Sequence, residues 1–298
     1  MNKQNYLNNK IIIEKVKPEK IPDDAVSKVF ITNNVVEGIT TEKRNYNLSR
    51  YRKLNKKMYV DTSTGEVRCY KSNEGTRANR HIHYRTFIAL RRIINNNFVG
   101  DFTEKHIVLT YGNEMTDYKQ ANKDFKDFWA RFLYKYPDFE YIRIIEPQQN
   151  GRWHIHVLIK YSSYRPIFIE QNKLNKIWGM GMVWISNIPF SDNFGAYFSA
   201  RFSDIDIFEN NQSFNSQKSI VKAGRLKFYP PNFKLYTCSK GIKRPKAVYL
   251  THGELNELVK NSKPFYSYTD KVKLKTEKGY EVELNNITYE QFNLKRED

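Results

Sequence analysis

Gly151-Arg152-Trp153-His154-Ile155-His156-Val157-Leu158-Ile159 is the stretch on which the fold turns. Trp, Ile, Val and Leu crowd it, and the turn residues Pro147, Asn150 and Gly151 precede it, so it reads as a strand. Side chains alternate across a strand, which puts His154 and His156 on one face and points Ile155 and Val157 into the buried one. Two imidazoles on one face can share a divalent cation. A half-buried strand that happens to carry two histidines has the same short pattern, so the pair needs support from its surroundings.

That support starts with the neighbouring elements. His106 to Tyr111 reads as a first strand, and Asp117 to about Tyr134 as a helix with Phe125, Phe128, Trp129, Phe132 and Leu133 on one apolar face. Tyr141 to Glu146 is a second strand and Arg152 to Lys160 the third. Ile169 to Trp178 is a helix that stops at Gly179, Met182 to Ile188 a fourth strand, and Phe194 to about Phe202 a further helix. The order β-α-β-β-α-β predicts an α+β fold, with a split βαβ antiparallel sheet of the ferredoxin or RNA-recognition type. In its usual strand order, 4-1-3-2, the histidine strand lies in mid-sheet.

Outside this block the signal weakens. Residues 1 to about 40 read as irregular around Pro18 and Pro22, and residues 43–80 are strongly basic, with a short hairpin over Tyr59 to Lys71 turning at Thr64-Gly65. Asn79 to Asn96 reads as a basic helix. After Asp204 the period is lost until Lys222. Arg225 to Lys246 is rich in Lys, Arg, Tyr and Pro; His252 to Asn261 reads as a helix, and Lys271 to Leu284 alternates around Lys278-Gly279. The division is a basic extension over 1–78, a central domain over 79–204 and a basic C-terminal region over 205–298.

Of 298 residues, 50 are Lys or Arg and 32 Asp or Glu, a net charge of +18. Fold stability does not require such an imbalance, so it implies a polyanionic partner. Hydrophobic residues make up 40%, which excludes a disordered chain, and 21 Tyr and 19 Phe interleave with the basic residues. That mixture suits single-stranded nucleic acid, where bases stack on rings and cations follow phosphates. Candidate DNA contacts are Arg80, Arg85, Arg91 and Arg92 on the basic helix, Arg152, and Lys240, Lys243 and Arg244 downstream. Cys69 and Cys238 form no Cys-x-x-Cys motif, which removes zinc ribbons and disulfide frameworks and fits a cytoplasmic location. No apolar run approaches the ~20 residues of a membrane span, so no membrane partner is expected. There is no P-loop, so no ATPase or helicase is built in.

Two further residues complete the candidate chemistry. Glu146 ends the strand before the hairpin, from which its carboxylate can approach both imidazoles. Two histidines and a carboxylate suit Mn²⁺ or Mg²⁺ with positions open for phosphate oxygens. Tyr197 lies on the helix that follows the sheet and is a candidate nucleophile. Leu158 in the third place excludes a His-x-His-x-His hydrolase, and no His-Glu-x-x-His is present. A second pair, His81 and His83, falls in the basic helix, where the two side chains splay about 200° apart. His106 and His252 read as structural.

The strand His106-Ile-Val-Leu-Thr-Tyr111, the His154-Ile-His156 strand and Tyr197 on the next helix resemble, in this order, the three motifs of the HUH endonucleases. They are most similar to those of the rolling-circle replication initiators of plasmids, phages and related mobile elements. Arg225-Leu-Lys-Phe-Tyr-Pro-Pro231 and Leu235 to Pro245 also resemble a segment of initiator-like proteins from Gram-positive bacterial elements, so the likeness covers about residues 80 to 250. It implies the HUH nuclease fold, metal ligation by His154, His156 and Glu146, and Thr110 shaping the site. Tyr197 would attack a phosphate of single-stranded origin DNA, leaving a 5′-phosphotyrosine and a 3′-hydroxyl for a polymerase. A helicase would have to unwind the duplex. Many members carry Lys three residues after the tyrosine; Ala200 stands there, with Arg201 next and Lys218 or Lys222 as substitutes from the loop. Phe202 offers no second hydroxyl, which implies one tyrosine per chain, with Asp204 or Asp206 as bases for a terminating water. Rivals are a transposase or relaxase of the same superfamily, and a non-enzymatic single-strand-binding module.

Overall fold

The computed structural model describes residues 10–43, 51–55, 58–61, 66–70, 80–148, 150–163, 165–166, 168–200, 228–230, 233–276 and 279–295. The chain divides into two compact units. One comprises Met1–Phe30, Val36–Glu74 and Ala247–Asp298, the other Ile31–Val35 and Gly75–Lys246. Both rest on antiparallel sheets, and the protein is of mixed α and β content.

In the first unit the N-terminal part supplies β1 (Lys10–Val16), β2 (Val26–Thr32) and β3 (Val35–Thr41), and a small sheet of β4 (Tyr51–Lys53), β5 (Met58–Asp61) and β6 (Val67–Cys69). The second unit holds α1 (Arg80–Asn97), β7 (Glu104–Leu109), α2 (Tyr118–Lys135), β8 (Phe139–Pro147), β9 (Trp153–Tyr161), α3 (Gln171–Trp178), β10 (Val183–Asn187), α4 (Phe194–Ala200) and β11 (Tyr236–Cys238). The chain then returns to the first unit with β12 (Val248–Thr251), α5 (His252–Leu258), β13 (Tyr266–Lys275) and β14 (Glu281–Asn293).

Residues 10–41 are thus three strands where irregular chain is expected. Their partners explain why. The larger sheet of the first unit runs β1-β13-β14-β3-β2-β12, so β1 pairs with a strand more than 250 residues away and β2 pairs with β12. Such pairing leaves little local trace. The one local signal is the two-residue turn Asn33-Asn34 between β2 and β3, where Asn33 takes φ 49°, a left-handed conformation that asparagine tolerates. Val29, Val36, Leu255, Val259 and Phe292 close the core of this unit against α5.

The second unit is centred on a five-stranded sheet in the order β10-β7-β9-β8-β11. Its first four members stand in the order 4-1-3-2, with the histidine strand in the middle, and β11 adds a fifth from beyond the expected block. α2 begins at Asp117, whose carboxylate accepts the Lys119 and Gln120 amides at 2.7 and 3.4 Å. It buries Phe125, Phe128, Trp129 and Phe132, spaced i, i+3, i+4, i+7. α3 ends on Gly179 at φ 70°, and the buried Trp178 donates its indole N–H to the Thr110 carbonyl at 2.7 Å. Each fully buried aromatic contributes about 1.5–3 kcal/mol, so the packed rings of this layer fix the sheet that carries the site. No helix among the described residues is long and apolar enough to cross a membrane.

Candidate metal centre

The hairpin from β8 to β9 sets the geometry. Gly151, at φ 83°, donates to the Gln148 carbonyl at 2.9 Å, and Gln148 donates to the Arg152 carbonyl at 2.7 Å. This tight closure fixes the register: Glu146 faces His154 and Ile144 faces His156. Directly opposed residues share a face, so the three polar side chains project together. Glu146 Oε2 lies 3.4 Å from His154 Nε2 and 3.5 Å from His156 Nε2. One ligand atom from each of the three lies within 4.8 Å of the others. Donors around a cation at ~2.1 Å stand about 3–3.5 Å apart, so the set fits a small divalent ion. His154 Nδ1 is also buried with no hydrogen-bond partner among the described residues, a polar shortfall that native sites resolve with an ion or water.

Glu146 is only 5% exposed. Burial pushes its carboxyl up, but hydrogen bonds from His154 and His156, and their charge, outweigh it and hold it at about 2. The carboxylate is therefore anionic whenever the imidazoles can bind metal.

His106, read as structural from sequence, belongs to this group. It faces Leu158 on β9, one pleat from His156, and its Nε2 lies 3.1 Å from His156 Nδ1. The two rings stack at 5.3 Å with 13° between planes. His156 thus turns Nε2 toward Glu146 and Nδ1 toward His106. With Nε2 as the metal donor, Nδ1–H donates to His106 Nε2, the outer hydrogen bond that orients a metal-binding histidine. The signal was present in the order 4-1-3-2, which makes the first strand a neighbour of the third and puts even-numbered residues of β7 on the histidine face.

α4 lies across that face. Phe194 and Phe198 are buried, and the Phe198 ring meets His106 edge-on at 5.1 Å and His156 at 6.3 Å. Tyr197, next to this anchor, is 52% exposed. The helix is tied to α1 by Asn95, which accepts the Gly195 amide at 2.6 Å and donates to the Asn193 side chain at 2.8 Å; that side chain in turn accepts the Ala196 amide at 3.2 Å. A Cβ at Gly195 would stand 2.3 Å from the Arg91 carbonyl, so glycine is required for the approach. Neither Asn95 nor Gly195 stands out from sequence, because each acts through a neighbour remote in the chain.

Thr110 donates its hydroxyl to the Met182 carbonyl at 2.8 Å, holding the end of β7 to the residue before β10. Arg85, Lys240, Lys243 and Arg244 are exposed, Arg92 is half-buried, and Arg152 pairs with Glu114. Arg91 is buried at 4% exposure. Asn97 holds the Lys240 to Lys246 strap through both backbone groups of Lys243, at 2.7 and 2.9 Å. The Arg80 side chain, and Arg201, Asp204, Asp206, Lys218 and Lys222, lie outside the described residues.

Residues 104–206 match the family model of replication-associated proteins of the ORF2 type. That span holds Glu146, His154, His156 and Tyr197, and the match fits a replication initiator that interacts with DNA. No curated protein and no solved structure matches the chain.

Proposed function

We propose that the chain is a metal-dependent nickase and strand transferase that opens single-stranded origin DNA to start rolling-circle replication of a mobile element. The carrying observation is the convergence of Glu146, His154 and His156 beneath the helix of Tyr197, inside the span matched to a replication-associated family. In this reading the second unit has the HUH nuclease fold. The rival single-strand-binding module is disfavoured, because its central strands would present rings where β7 and β9 present His106, His154 and His156.

The residues divide the work as follows. His154, His156 and Glu146 hold the cation, Mn²⁺ or Mg²⁺, and His106 keeps His156 in the donor tautomer. When bound, the cation polarises the scissile phosphate and offsets its developing charge. The Tyr197 phenolic oxygen attacks phosphorus, the P–O3′ bond breaks, and the 3′ oxygen leaves as a hydroxyl with a proton from solvent. The phenol proton passes to water or buffer. One phosphoester replaces another, so the 3′-hydroxyl can reverse the step without ATP. Phenols ordinarily ionise near ~10, so the phenol depends on the polarised phosphate at neutral pH. The exposed cations Arg85, Lys240, Lys243 and Arg244 would track the strand, while a separate helicase and polymerase unwind and extend it.

The test is covalent capture. Wild-type protein incubated with single-stranded origin DNA and Mn²⁺ should give an adduct that survives boiling in detergent, and mapping of the DNA-linked peptide should return Tyr197. An undiminished adduct from Tyr197→Phe removes this nucleophile.

A further inference from the structure

We propose that Trp184 is a stacking platform for a DNA base beside the scissile phosphate. Trp184 sits on β10, the edge strand of the five-stranded sheet. It faces Val108 on β7, Val108 faces His156 on β9, and His156 faces Ile144 on β8. This single cross-strand row places the indole on the metal-binding face, because opposed residues project the same way. Two strand spacings separate Trp184 from His156, about 9–10 Å between backbones. Only the half-buried Val108 lies between them.

The exposure of this indole is unusual within the molecule. Trp129, Trp153 and Trp178 are buried at 9%, 3% and 1%, whereas Trp184 is 59% exposed. Met182, two residues earlier on the same face, is 60% exposed. An apolar pair on an unprotected sheet edge invites association, and folded proteins tend to keep such a feature where it meets a ligand. The net charge of +18 makes that ligand a polyanion. A flat ring that accepts any base, next to a phosphate-handling cation site, matches single-stranded DNA held by stacking and charge. No base-specific hydrogen bonding is needed, so the platform serves grip and placement of the strand more than sequence choice.

The inference rests on the nickase reading only for the identity of the phosphate; stacking itself can be measured with cleavage disabled. Full-length protein in EDTA is titrated with single-stranded oligodeoxythymidylate, following tryptophan emission. The emission of the exposed indole should be quenched on binding. Trp184→Phe should abolish the quenching while keeping most of the affinity. Trp184→Ala should weaken binding between about 5- and 150-fold, the span of a base stacked on an aromatic ring. Unchanged affinity and quenching in Trp184→Ala overturn the platform, and if the Mn²⁺ adduct still forms, the nickase reading survives. Quenching without any adduct on origin DNA has the opposite meaning. Sedimentation in which Trp184→Ala splits a wild-type dimer assigns the indole to a protein interface and also overturns the proposal.

Discussion

Each unit buries histidine against glutamate, yet the two arrangements differ in kind. In the first unit, His252 Nε2 lies 3.2 Å from Glu290 Oε2, and the Asn256 side-chain amide donates to His252 Nδ1 at 3.3 Å. Both ring nitrogens are satisfied, and His252 joins α5 to β14. In the second unit, two imidazoles turn toward one carboxylate while His154 Nδ1 has no partner among the described residues. A closed pair holds structure together; an open, convergent set has donors to offer. The difference is convergence and shortfall, not residue type.

The strongest test of that contrast removes the open set. His154→Ala with His156→Ala should lower cleavage by on the order of 10³-fold or more, since a metal offsets several kcal/mol of developing charge. DNA affinity should hold, as measured by filter binding in EDTA. Equal loss of both would make the histidines structural, like His252. Gly195→Ala comes next. Its Cβ would meet the Arg91 carbonyl, so α4 must shift and carry Tyr197 with it. Adduct yield should fall about 100-fold, as for a misplacement of ~1 Å, and the protein should lose about 1–3 kcal/mol of stability. Normal adduct yield in a destabilised variant would separate the docking of α4 from chemistry.

What could be read from the chain follows the same division. The second unit repeats local signals: the helical apolar spacing of Phe125, Phe128, Trp129 and Phe132, the Gly179 stop, and the strand alternation around His154. Its strands pair mostly with close neighbours in sequence, so order 4-1-3-2 and the Glu146–His154–His156 group were legible. The first unit was not, because β1 joins β13 and β2 joins β12 across the whole chain. Distance in sequence also hid His106, Asn95 and Gly195. Their importance lies in contacts across strands and helices, which no local pattern records.

His106 permits a finer cut. His106→Phe keeps a ring to stack on His156 but removes the acceptor for its Nδ1–H. Mn²⁺ affinity by calorimetry should drop about 10- to 100-fold, with DNA binding in EDTA unchanged. Recovery in His106→Asn, which restores an acceptor, would mark orientation and not packing as the cause. Acid titration probes the carboxylate. Since the folded Glu146 carboxyl is held at about 2, below its ordinary 4.5, its contribution is complete above about 4.5 and lost as pH falls toward 2. In EDTA, Glu146→Gln should flatten the pH dependence of stability across that window; an unchanged slope would mean that the imidazoles do not hold the carboxylate.

The smallest effect on chemistry belongs to the closed pair. His252→Gln leaves Glu290, 7% exposed, facing an amide that reaches it less well, and Asn256 without its ring acceptor. Incomplete satisfaction of a buried acceptor costs about 1–3 kcal/mol, which chemical denaturation should register as a lower midpoint with an unchanged slope. Mn²⁺ affinity and adduct yield measured well below that midpoint should match wild type. A loss of metal affinity in this variant would mean that the closed pair also supplies a metal site, and the contrast between satisfied and convergent histidines would then no longer distinguish the two units.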